Sequence, residues 1–285
     1  MSLLVNIIGA GHLGKTIGYL LAKSRGIKIG AICNQSLESS KAAIQFIGSG
    51  NYCTSINKLP PADITLITTP DDMISHVCEE LSKNAFIKKN SVVLHCSGSL
   101  TSDALSTIKD KGCYVASIHP MKSFANPELC VEQYNGTYCA VEGDKMAIST
   151  ITPLFNSIGS ITYAIDKTKK SLYHAAGVFA SNYLVTLAEQ ALICLKDAGV
   201  ENELAMHIIT NIMRGTISNL EKTLSPAQSL TGPIQRGDIS TLKKHMESFS
   251  AIEQKKLYSS LGKATLPLTS HGKNKKERIE TVLQA

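Results

Sequence analysis

Two histidines, an asparagine and a serine supply the side-chain types needed to move a proton onto a polarised double bond. His174 and Asn182 lie eight residues apart, with Val178 midway, in the helically spaced stretch YHAAGVFASN, so they project from nearly one face. Imidazole can donate a proton near neutral pH, which makes His174 the leading candidate acid, and an amide at Asn182 can orient a carbonyl. Ser97, in HCSGSL, and His119, in HPMKSF, stand where two apolar runs end and add a hydroxyl and a second imidazole. Lys122, and Arg236 in TGPIQRGD with Gly232 and Pro233, are the cations available to hold a substrate carboxylate, for which a guanidinium is the better fork. The alternative for His174 and Asn182 is structural, as partners of backbone groups between helices. His119 fits substrate contact and a turn equally well, whereas His95, inside the apolar run SVVLHC, reads as a hydrogen-bonded core residue.

The elements that would position these groups begin at the N-terminus. Leu3 to Ile8 is a β-branched apolar run expected to form a buried parallel strand, and Lys15 to Ala22 switches to helical spacing. Between them stands Gly9-Ala10-Gly11-His12-Leu13-Gly14, a G-x-G-x-x-G pattern in strand-to-helix context. Gly9 permits the tight turn, Gly11 lets backbone amides approach a pyrophosphate, and Gly14 lets helix and strand pack closely. The phosphates would rest on the positive end of the helix. This predicts a bound dinucleotide.

A second strand is expected at Lys28 to Asn34, and its end reads the adenosine ribose. An acidic residue there would favour NAD. Asn34, Gln35 and Ser36 are neutral donors that can meet a 2′-phosphate without repelling it, so NADP(H) is expected, with Lys41 or Arg25 supplying the missing charge. Further strands are expected at 63–69, 91–96, 114–118, 136–142 and 160–165. After the first of these, Thr69 reads as the N-cap and Pro70 as the first residue of a helix, with backbone near both touching the cofactor.

From Lys167 the pattern becomes helical: one long helix over 172–196, a second over 202–222, a third capped by Asp238, and a fourth opened by a capping box at Ser250 to Glu253. The expected architecture is α/β, a doubly wound parallel sheet over residues 1–165, followed by a smaller all-α domain over 166–285 for substrate and dimer contacts. At 285 residues the chain is long enough for both.

Composition narrows the setting. The eight cysteines are scattered without zinc or disulfide spacing, which suits reduced thiols in the cytoplasm and no bound metal. A net charge of +6, partly from a basic C-terminal stretch without interleaved aromatics, fits an anionic small-molecule substrate and no nucleic acid. There is no run of ~18 uninterrupted apolar residues and no basic leader, so no membrane span or signal peptide is expected.

The blocks GAGHLG (9–14), HCSGSL (95–100), HPMKSF (119–124), YHAAGVFASN (173–182) and TGPIQRGD (231–238) together resemble the Rossmann-like plus DUF2520 family. That family is related to the 6-phosphogluconate and β-hydroxyacid dehydrogenases. The resemblance implies a Rossmann domain, a helical domain and substrate in the cleft between them. One branch resembles alternative ketopantoate reductases, which reduce 2-dehydropantoate with NADPH on the way to pantothenate and coenzyme A. The dehydrogenase relatives place a lysine four residues before the helix asparagine, where this chain has Val178. The acid is then His174, or His119 or Lys122 from the sheet edge. Reduction of another oxo acid or an imine, and NADP(H) binding without turnover, remain the alternative functions.

Overall fold

The computed structural model describes residues 2–284. By its internal contacts the chain divides into two compact units, residues 1–182 and 183–285.

The first unit is built on an eight-stranded sheet. In chain order its elements are β1 (Leu3–Ile8), α1 (His12–Lys23), β2 (Ile27–Cys33), α2 (Leu37–Ile47), β3 (Asn51–Tyr52), β4 (Ile64–Ile67), α3 (Asp71–Ser82), β5 (Val92–His95), α4 (Ser106–Lys109), β6 (Tyr114–Pro120), α5 (Pro127–Glu132), β7 (Tyr138–Gly143), α6 (Lys145–Ser157), β8 (Ile161–Ala164) and α7 (Lys170–Gly177). The strand order is β3-β2-β1-β4-β5-β6-β7-β8, parallel except for the antiparallel pair β6–β7. The order reverses at β1, so the ends of β1 and β4 flank a crevice of the kind that takes ligands in doubly wound sheets.

The strands are apolar on both faces because helices cover both. Val5, Ile7, Leu66 and Leu94 pack with Ile17 and Leu21 of α1, Ala43 and Ile47 of α2, and Phe155 of α6. Ile8, Ile67 and Val93 turn the other way, onto Ile74, Val77 and Leu81 of α3 and Ile108 of α4. Period-2 alternation thus feeds two cores from one sheet.

The expected division at residue 165 falls at the end of the sheet, but α7 belongs to the first unit's contacts. Its Lys170 is 2% exposed and pairs with Glu142 of β7, which is 5% exposed. The expected single helix is also interrupted. Residues Val178–Asn182 form a π-turn, and α8 (Tyr183–Asp197) follows. A π-turn takes in about one residue more than an α-turn, so positions 174 and 182 come close to two whole turns apart. The run Lys167–Asp197 has an 18-residue window of mean hydropathy 1.4, long and apolar enough by length and composition to cross a membrane, which the count of uninterrupted apolar residues did not register. Its window is 6% buried.

Two helix starts differ from expectation. Pro70, not Thr69, is the N-cap of α3, and Thr69 makes no capping bond. In the second unit, α13 (Ile252–Thr265) starts after Ala251 without the capping box expected from Ser250 and Glu253. That unit also contains α9 (Asn202–Thr223), α10 (Pro226–Ser229), α11 (Pro233–Arg236), α12 (Ile239–Ser248) and α14 (Lys273–Gln284). Leu242, Met246, Ile279 and Leu283 form one of its cores, and Leu192, Ala205 and Ile209 another. Asp238 caps α12 by accepting from the Thr241 amide, as its position predicted.

Candidate active site

The glycine loop is shaped by steric need. Gly9 has φ +83°, and a Cβ there would lie 2.5 Å from Thr69 Cγ2 and 2.8 Å from the Thr69 amide nitrogen. A Cβ on Gly14 would strike the Thr68 hydroxyl, which itself donates to the Gly9 carbonyl at 2.9 Å. Above Gly11 nothing lies within 4 Å of where a Cβ would be. The first turn of α1 has no side-chain cap, leaving its amides for an anion. These features border an open cavity of about 980 Å³ that runs from the glycine loop past Gln35 and Ser39 to Thr69 and Pro70. Thr69 Oγ1 is buried in this wall without a hydrogen-bond partner among the described residues. A dinucleotide fits this cradle by the room above Gly11, the uncapped helix start and the orphaned hydroxyl.

The residues expected at the ribose divide their tasks. Asn34 Oδ1 accepts from the Ala10 amide at 2.6 Å, pinning the glycine loop and leaving its Nδ2 as the donor. Ser36 is engaged with Ser39 in the capping box of α2. Gln35 lines the cavity, and its lining cation is Lys15 rather than the expected Arg25 or Lys41. Its signal was plain: it directly follows Gly14. His12 Nδ1 lies 2.9 Å from the Phe124 carbonyl, tying the glycine loop to the loop that follows β6 and carries Lys122.

At the carboxyl edge of the sheet, β6 and α7 align in two rungs. Ser117 and His119 alternate onto one face of β6, and Lys170 and His174 are one helical turn apart on α7. In the inner rung, Lys170 Nζ donates to Ser117 Oγ and, at 3.2 Å, to Glu142 Oε1. Glu142 also accepts from the Ser102 amide at 2.8 Å and hydroxyl at 2.7 Å. Ser117 sits opposite His95 on one side and Glu142 on the other, so a polar row crosses three strands beneath α7.

In the outer rung, His119 Nδ1 lies 2.8 Å from the Tyr173 hydroxyl, and the His119 and His174 rings meet edge to face at 5.9 Å. Burial first, then His174 and Lys170, press the His119 pKa down to about 4, against the opposing pull of Asp71. His95 is fully buried: its Nδ1 accepts from the Ser97 amide at 3.1 Å, so its Nε2 donates to the Thr101 carbonyl. Burial and Lys170 hold it neutral as well, at about 4.

Gly98 lies against both rings. A Cβ there would come within 2.5 Å of His174 Cδ2 and 2.8 Å of His119 Nε2. Gly98→Ala is therefore expected to displace both imidazoles. Activity should drop about 10²-fold with the far-ultraviolet circular dichroism unchanged, and steady-state rates alongside that spectrum check it.

Ser97 is placed differently from its expected role. It is buried, donates to Asp71 Oδ2 at 2.7 Å and accepts from the amides of Ser99 and Leu100. Its one proton is thus committed to the carboxylate, and it pins the loop that presents Gly98. Asn182 is exposed at the end of the π-turn. Lys122 is half-buried and forms no ion pair among the described residues. Gly232, Pro233 and Arg236 lie in the second unit, where Gly232, at φ +92°, caps α11 and Arg236 is exposed. Tyr173, Lys170 and Glu142 were missed in the sequence, because nothing local marks a lysine and a glutamate 28 residues apart as partners.

Residues 1–120 match the model of the Rossmann-like domain, and residues 137–265 match DUF2520, a domain of unknown function. The chain thus carries a Rossmann-like domain match followed by a DUF2520 match. The DUF2520 match begins at the start of β7, so it takes in Glu142, Lys170, Tyr173 and His174. No curated protein sequence matches the chain. Among solved structures, a Thermotoga maritima protein superposes with TM-score 0.72 at 27% identity, covering 93% of this chain and 97% of that one. An imine reductase from Myxococcus stipitatus in complex with NADP+ gives 0.65 at 13% identity, covering 93% and 92%. The pyrroline carboxylate reductase of Plasmodium falciparum with NADP bound gives 0.60 at 16% identity, covering 99% and 96%. The last two likenesses are of fold.

Proposed function

We propose that this chain is an NADP(H)-dependent reductase of a small 2-oxo acid, with ketopantoate as the first candidate substrate. The observation that carries the reading is the imidazole pair His119 and His174 held against Gly98, at the same sheet edge as a glycine loop built for a dinucleotide. The NADP named with the imine and pyrroline carboxylate reductases of this fold supports the cofactor.

Gly9 to Gly14, Asn34, Gln35, Lys15 and Thr69 would hold the cofactor, which supplies hydride to the reacting carbon. His174 delivers the proton to the developing alkoxide, since imidazole suits that task near neutral pH. Asn182 orients the carbonyl, and Lys122 holds the carboxylate. A homodimer belongs to the same proposal: α8 exposes Val185, and α9 exposes Leu204, Ile212 and Ile217, an apolar surface suited to a second copy. The cytoplasm suits the chain's cysteines, which are all free.

The test is NADPH oxidation by the purified protein with and without ketopantoate, repeated with NADH and with 1-pyrroline-5-carboxylate. Saturable, ketopantoate-dependent oxidation that prefers NADPH is the expected result. Turnover of the pyrroline alone would transfer the site to imine reduction. NADPH binding without turnover of either compound overturns both substrate assignments.

A further inference from the structure

We infer that Tyr173 is a positioning residue that fixes His119 in its Nε2–H tautomer, so that a neutral imidazole offers a hydrogen-bond donor beside Gly98 to the substrate's carbonyl oxygen. This deepens the reductase reading and rests on it for the identity of the acceptor.

The phenol proton has two acceptors on the same residue, His119 Nδ1 at 2.8 Å and the His119 carbonyl at 3.4 Å. Nδ1 is the nearer acceptor by 0.6 Å (3.4 against 2.8 Å), which favours the phenol proton on Nδ1. Burial and the neighbouring Tyr163 hydroxyl raise the Tyr173 pKa above its ordinary value, so the phenol keeps that proton at working pH. A ring whose Nδ1 accepts must carry its proton on Nε2. That atom has no hydrogen-bond partner among the described residues, and it faces the space left by the missing Gly98 side chain.

The groups facing His119 explain its charge. His174 stands at its edge, the Lys170 ammonium lies one rung behind, and Tyr173 closes Nδ1. Asp71, across the site, is the one carboxylate that acts in the opposite direction, and it is already bound by Ser97 and Ser99. Glu142 is paired with Lys170. The ring therefore stays neutral where a solvated histidine would begin to protonate.

A neutral donor has a definite use here. As the carbonyl carbon gains its new C–H bond, the π electrons move onto oxygen, and the His119 Nε2–H stabilises that charge without giving up its proton. His174 supplies the proton that completes the O–H bond and recovers one from solvent. The two imidazoles thus divide stabilisation from proton delivery.

The experiment is long-range ¹H–¹⁵N correlation of the labelled full chain from pH 8 to pH 5, with His119 assigned by loss of its signals in His119→Gln. The expected spectrum shows a neutral Nε2–H ring throughout, and Tyr173→Phe should convert it to a mixture of tautomers. An Nδ1–H ring in the unmodified protein, or a cationic ring at pH 6, overturns the inference. This readout needs no substrate, so its failure is separable from failure of the ketopantoate assay. Kinetics on whichever substrate is turned over add a second arm. His119→Gln, whose amide offers an N–H at similar reach, should retain at least about tenfold more kcat than His119→Ala, because a lost oxyanion donor costs about 10²–10³-fold. Equal rates for the two variants would also overturn it.

Discussion

Lys170→Met is expected to lower the unfolding free energy by about 3 kcal/mol, near the lower end of the ~3–5 kcal/mol that breaking a buried ion pair costs. The exchange removes the ammonium that balances Glu142, at a site where both side chains are almost wholly out of water. The Ser102 amide and hydroxyl still bind the carboxylate, which keeps the loss from the upper end. For a unit of 182 residues this corresponds to a melting point roughly 10 °C lower. Denaturant titration of the two single variants and of the pair Lys170→Met/Glu142→Leu checks it. The double variant should recover most of the loss, because filling the site with apolar groups leaves no charge uncompensated. A single variant as stable as the parent would show that the inner rung does not anchor α7.

His174→Ala should reduce kcat by about 10²–10⁴-fold, the range supplied by a positioned general acid, while NADPH affinity stays within about twofold. The separation follows from placement: His174 stands on α7 against Gly98 and His119, whereas the cavity assigned to the cofactor is lined by the glycine loop, α2 and the start of α3. Rates with the substrate identified by the oxidation assay, together with fluorescence titration of NADPH, measure both quantities. Equal losses in turnover and cofactor binding would remove His174 from the role of acid.

Both predictions depend on α7 lying across β6, and this shows where local pattern stopped being informative. The nucleotide cradle was legible because its determinants are adjacent in the chain: an apolar strand, three glycines at fixed spacing and a helix start lie within the first 23 residues. Most strands were equally legible, since each buried run is short and bounded by turn residues. The two-residue strand β3 was not, because Asn51 and Tyr52 are exposed and carry no apolar signature. The antiparallel run of β7 was hidden for another reason: strand direction depends on how the chain returns after α5, not on the composition of GTYCAVE.

The sequence by itself determined the dinucleotide motif, the order of sheet and helical segments, and the presence of His119 and His174 in candidate positions. Only the tertiary structure decided their chemistry. It set His119 against Tyr173, 54 residues along the chain, placed Gly98 under both imidazoles, and committed the Ser97 hydroxyl to Asp71. The physical reason is that helix and strand periodicities reach only a few residues, whereas the charge and tautomer of a buried group depend on every dipole within a few ångströms, from whatever part of the chain the fold brings there.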